Sequence, residues 1–227
     1  MTKEEFLPTL SQKAQDTVNQ NLQKFSKLSF EVFYSDESKV VSDNTSHYVI
    51  YVKNDISDDI EYRFLHEFFH CVQDEESFPS IVKCDEEYEE LATYLSSIIL
   101  DLDVRERLED NGYFQDLKYI KKLIKMYIKM LKLLKQYNDK QELTDINEMI
   151  NLAGLIITSD IANINNKELV ALTKMVRPKA ISYYKVFCEC IEKYSYNDAQ
   201  DVEKIFKILI KRFNLSSCVE IQTHYTC

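Results

Sequence analysis

The sequence predicts an α+β domain with a small β-sheet followed by an all-α helical domain, in a chain that is predominantly helical overall. Three observations carry this. Ser29-Phe30-Glu31-Val32-Phe33-Tyr34 alternates, and His47-Tyr48-Val49-Ile50-Tyr51-Val52 is β-branched and aromatic, so both read as strands. From about Asp58 onward, apolar residues recur at helical spacing. The 227 residues are 45 % hydrophobic with only two Gly and three Pro, which excludes disordered, collagen-like and low-complexity chains and supplies material for one or two cores.

The first element is a helix over residues 9 to 27, because Leu10, Ala14, Val18, Leu22 and Phe25 are three or four apart, and Pro8 stands just before it, where proline is tolerated. The two strands follow, joined by a polar loop from Ser35 to Ser46. Leu65, Phe68, Phe69 and Val72 then define the apolar face of the next helix. After a loop at Glu75 to Pro79, a long helix runs from about Asp85 to Asp110 and stops at Asn111-Gly112, where glycine can take the left-handed cap. The domain boundary is placed there, giving domains 1–113 and 114–227. The second domain reads as helices over Leu117–Gln136, Asp145–Ser159, Lys167–Met175, Lys179–Tyr194 and Gln200–Phe213.

Charge and cysteine content narrow the function. Twenty-eight Lys and Arg against thirty-eight Asp and Glu leave a net charge of −10, which argues against direct, sequence-independent nucleic-acid binding. No apolar run is long enough to span a membrane, and Met1-Thr2-Lys3-Glu4-Glu5 does not resemble a secretion signal, so a cytoplasmic protein is expected. The six Cys are then expected as reduced thiols, and with no CxxC pair among them a thiolate zinc site is not indicated. Cys71 is expected in the core, Cys188 and Cys190 as inert thiols, and His47 and His224 as exposed or hydrogen-bonded.

The residues that carry chemistry are His66-Glu67-Phe68-Phe69-His70. Positions i and i+4 share a helix face, so both imidazoles can reach one metal ion. Glu67 is rotated from His66 by about a hundred degrees, near the metal without ligating it, which suits a general base acting on a water that the metal has acidified. Zn2+ is therefore the expected cofactor, with His66 and His70 as ligands and Glu67 as the catalytic residue. A third ligand is required, and the long helix offers it from an acidic run, Asp85-Glu86-Glu87-Tyr88-Glu89-Glu90, or from Asp101. Glu90 lies twenty residues after His70, a spacing similar to that of thermolysin-type enzymes, and stands first. Glu89 and Asp101 are the alternatives. Asp101 shares Glu90's face about 16 Å further along the axis, so only one of the two can reach the metal.

Tyr51-Val52-Lys53-Asn54 followed by Tyr62-Arg63-Phe64-Leu65-His66-Glu67-Phe68-Phe69-His70 resembles the ImmA/IrrE family of metallopeptidases. Glu89-Glu90-Leu91-Ala92-Thr93-Tyr94-Leu95 is similar to that family's Glu-x-x-Ala-Asn-like helix, with Thr93 where Asn or Asp is usual, and favours Glu89 as ligand. Asp101, Val104, Leu108 and Gly112-Tyr113 resemble a tract in relatives, which keeps Asp101 open. The resemblance covers roughly residues 28 to 113. It implies a zincin-like domain that hydrolyses peptide bonds of a cytosolic protein, often a regulator or repressor. The alternative, drawn from other members, is a zinc-binding regulatory or toxin-like interaction module without proteolytic activity. In the second domain, Lys118, Lys121, Lys122, Lys125, Lys129, Lys132 and Lys135 oppose an apolar face of Leu117, Ile120, Leu123, Ile124, Ile128, Leu131 and Leu134. These lysines read as a solvated face or as a docking surface for an acidic partner.

Overall fold

Alternation along the two expected strands becomes a sheet with one buried face. The computed structural model describes residues 1–42, 46–53, 60–114, 117–136 and 146–223. Strands β1 (Ser29–Ser35), β2 (Lys39–Ser42) and β3 (His47–Lys53) form a sheet in the order β1-β3-β2. β1 runs parallel to β3, with Phe30 opposite Tyr48 and Val32 opposite Ile50, and β2 closes an antiparallel hairpin on the other side of β3. The expected polar loop therefore contains a third, short strand. Phe30, Val32, Tyr48, Ile50 and Val52 point to the buried side, as period two requires, while Phe33 and Val41 face out.

Helix α1 (Lys3–Phe6) and a 3₁₀ turn at Leu7–Thr9 precede α2 (Gln12–Lys24), whose start is capped by Ser11 accepting from the Ala14 amide. α2 is shorter than expected at both ends, since Thr9 belongs to the 3₁₀ turn and Phe25, at φ −116° and ψ 80°, leaves the helical conformation. Helix α3 (Ile60–Glu75) lies on the sheet through an aromatic cluster: Phe64 meets Phe6 at 4.7 Å and Phe30 at 5.7 Å between ring centroids, and Phe68 meets Phe30 at 5.7 Å. The hydroxyl of Tyr48 lies within hydrogen-bond distance of Asp74 (2.7 Å) and Glu75 (2.9 Å) and shares its one hydrogen between them, tying the end of α3 to β3.

Helix α4 (Glu89–Asp110) ends as expected. Gly112 has φ +71°, its amide donates to the Glu109 carbonyl and that of Tyr113 to Leu108, both at 2.8 Å, which is the Schellman pattern. The helices that follow are α5 (Leu117–Gln136), α6 (Ile146–Ile161), α7 (Lys167–Val176), α8 (Pro178–Lys193) and α9 (Ala199–Arg212). α6 is apolar nearly all round and packs against α5 and α8 as the buried helix of its region. Strand β4 (Ser80–Lys83) pairs antiparallel with β5 (Val219–Gln222), a two-stranded sheet that the sequence reading does not contain.

Contacts divide the described residues into two units, 1–78 with 103–114, and 79–102 with 117–223. The division expected at residue 113 keeps 79–102 with the first domain; the contacts group them with the helices. Two interactions account for this: β4 pairs with β5, and Gly154 of α6 lies directly against Ile98 of α4. The expected helix starts at Asp58 and Asp145, and the residues Asn54, His224 and Cys227, lie outside the described residues.

Candidate metal centre

The α3 segment builds one half of a site by its own periodicity. Phe64, Leu65, Phe68, Phe69, Cys71 and Val72 are buried and fix which way the helix faces. That leaves His66, His70 and Gln73, at i, i+4 and i+7, as a polar stripe along the helix. The two imidazoles are half-buried, their rings 4.9 Å apart and nearly perpendicular, and their Nε2 atoms approach to 3.3 Å. Two nitrogens each about 2.0–2.1 Å from a tetrahedral zinc ion are separated by about 3.3–3.4 Å, so this pair already has the span that zinc requires.

The third member comes from α4. His66, His70 and Asp101 bring one ligand atom each to within 4.8 Å of one another. α4 is continuous from Glu89 to Asp110, and its last turns belong to the same unit as α3, where Val104 and Leu108 enter the core cluster with Phe64 and Phe68. Asp101 stands half a turn before this anchored stretch.

Glu90 and Glu89 are not brought to the histidines. Glu90 is exposed, accepts from the Tyr94 hydroxyl at 2.7 Å and from the Asn147 amide at 3.3 Å. Glu89 pairs with Lys83 at 2.8 Å, which holds its carboxyl below the ordinary range. Thr93 donates to the Glu89 carbonyl and faces solvent. Of the three candidate carboxylates, Asp101 rather than Glu90 or Glu89 is the one grouped with the two histidines, because the part of α4 that meets α3 is its C-terminal half.

Glu67 follows His66 and is 8 % exposed. Cys71 is fully buried, its thiol donating to the Glu67 carbonyl at 3.4 Å, and burial pushes that thiol up, away from the reactive thiolate. It is a core residue, as expected. His47 lies at the start of β3 with Nδ1 at 3.0 Å from the Ser29 hydroxyl.

Sequence reasoning missed Gln73, Asp103 and Arg107. Gln73 Oε1 lies 2.9 Å from His70 Nδ1, and Gln73 Nε2 donates to Asp103 Oδ2 at 2.7 Å. Arg107 Nε donates to the same Asp103 oxygen at 2.7 Å. The available signal was the stripe itself: a buried amide continuing a His line at i+3 has a polar partner to meet.

Chemically, two imidazoles and a carboxylate are donors of the kind that a metal ion takes, and His66, His70 and Asp101 could hold one. Comparison with family models, with curated proteins and with solved structures gives no match.

Proposed function

We propose that this chain is a zinc-dependent metallopeptidase of the HExxH type, hydrolysing peptide bonds of a protein substrate, for which the ImmA/IrrE resemblance suggests a regulator or repressor. The observation that carries the reading is the convergence of His66 Nε2 and His70 Nε2 at 3.3 Å with Asp101 alongside; Glu67 follows His66 in the chain. His66, His70 and Asp101 would hold the ion. When bound, zinc supplies Lewis acidity, which polarises a scissile carbonyl and makes water nucleophilic at neutral pH.

The chain's own residues do the rest. Glu67 sits one residue from the first ligand, rotated by about a hundred degrees, where it takes a proton from the attacking water and returns it to the leaving amine. The apolar side chains around it on α3 limit water access. A closed structural zinc site fills its fourth position with protein and has no use for such an acid.

The test is metal content by native mass spectrometry together with Glu67→Gln. Wild type is expected to carry about one zinc per chain. The variant should retain zinc and fold while turnover drops about 10²- to 10⁴-fold. Proteins encoded beside this one are the substrates to assay first.

A second reading, a zinc-binding interaction module without proteolysis, draws on α5. Its lysines 121, 122, 125, 129, 132 and 135 are exposed, together with Tyr119, Met126 and Leu133. An open cleft of about 330 Å³ lies between Lys125, Ile128, Lys129, Lys132, Leu133 and Gln136. Equal cellular activity of Glu67→Gln and wild type at equal abundance would favour it.

A further inference from the structure

A glutamine side chain presents an acceptor at one end and a donor at the other, and its shape does not tell them apart. In Gln73 the surroundings do. Its far end meets Asp103, which is 2 % exposed and accepts from Arg107 Nε at 2.7 Å. Asp103 Oδ2 is thus an acceptor, and the Gln73 amide turns its NH₂ toward that oxygen, as the 2.7 Å Nε2–Oδ2 contact has it. Gln73 Oε1 then faces His70 Nδ1 at 2.9 Å, and a carbonyl oxygen there needs an N–H to receive. A neutral imidazole that carries its proton on Nδ1 has its lone pair on Nε2, the atom that points at His66.

We propose that Gln73 is a positioning residue that holds His70 in its Nδ1–H tautomer and so presents the Nε2 lone pair to the metal, with the Arg107–Asp103 pair setting the amide the right way round. The proposal rests on His70 being a ligand, and it extends that reading to a relay whose members all lie in the first unit. Arg107 itself is fixed from its other side: its Nη2 donates to Glu76 at 2.6 Å, and Glu76 in turn pairs with Lys24 of α2 at 2.5 Å. The polarity chosen at Arg107 is carried through three hydrogen bonds to His70 Nδ1.

The experiment reads the tautomer directly, from ¹⁵N imidazole spectra of the metal-free protein at mildly alkaline pH, where histidines are neutral. Wild-type His70 is expected as Nδ1–H. Gln73→Met should move it toward Nε2–H and weaken zinc binding about 10- to 100-fold. Asp103→Asn leaves Gln73 in place but lets its amide face either way, and should give a mixture of tautomers. Finding Nε2–H in wild type overturns the proposal without any variant having to fold. Nδ1–H unchanged in both variants, or zinc affinity unchanged in Gln73→Met, overturns it equally. A wild-type chain that takes up no zinc would instead defeat the metal reading, which the metal-free tautomer spectrum does not depend on.

Discussion

Glu90 and Asp101 stand eleven residues apart on α4, about 16 Å along the axis, so a substitution at one has no direct path to a metal held by the other. Asp101→Asn, which keeps size and removes charge, should weaken zinc affinity at least tenfold in a competition titration. Glu90→Gln and Glu89→Gln should leave it unchanged. A larger loss from Glu90→Gln would remove Asp101 from the site. The His pair was legible because a helix sets the angle between i and i+4 whatever surrounds it. Which carboxylate is grouped with that pair was not, because chain distance does not say where one helix crosses another. A better signal was available. Glu90 closes an exposed acidic run, whereas Asp101 interrupts Ile98-Ile99-Leu100-Asp101-Leu102-Asp103-Val104, and an acid placed among apolar residues must be compensated by something. His66→Ala and His70→Ala should each abolish stoichiometric zinc, which metal analysis of the purified variants would check.

At the scale of elements, α2, α3 and α4 are joined by Lys24, Glu76 and Arg107. Burial pushes the Glu76 carboxyl up, yet its bonds to Arg107 and Lys24 outweigh this and hold it below its ordinary value. A carboxyl depressed on folding contributes stability above its unfolded value of about 4.3 and loses that contribution as pH falls through the folded value. Glu76→Gln should therefore cost about 1–3 kcal/mol at neutral pH, with the difference from wild type shrinking below about pH 4 in urea unfolding. On α6, Gly154→Ala should cost about 1–3 kcal/mol although alanine is the better helix former, because its Cβ would stand 2.6 Å from Ile98 Cδ1 and 2.7 Å from Cγ1. In a double-mutant cycle, Ile98→Ala should absorb most of that cost. Long helices and the two seven-residue strands were readable because each carries several periods of its own pattern. β2, β4 and β5 are four residues each, too short to show a period, and exist through pairing with distant residues.

For the molecule as a whole, the division between units passes between residues 102 and 103, inside one continuous helix. Asn111-Gly112 was a sound reading of where α4 stops, since a left-handed glycine is a local requirement. It could not disclose the earlier seam, which depends on what β4 and the first turns of α4 touch. β4 and β5 also set a timetable. Lys83 and Val219 are 136 residues apart in the chain, and closing a loop of that length costs about 2 kcal/mol more than a ten-residue hairpin. At a synthesis rate of about 5–20 residues per second, β4 waits on the order of ten seconds for its partner strand to be made. Until then, the stretch that directly follows the histidine helix has an unpaired edge. A chain ended after Leu215 would keep that edge permanently, and should show a lower melting temperature and a greater tendency to self-associate than the full chain.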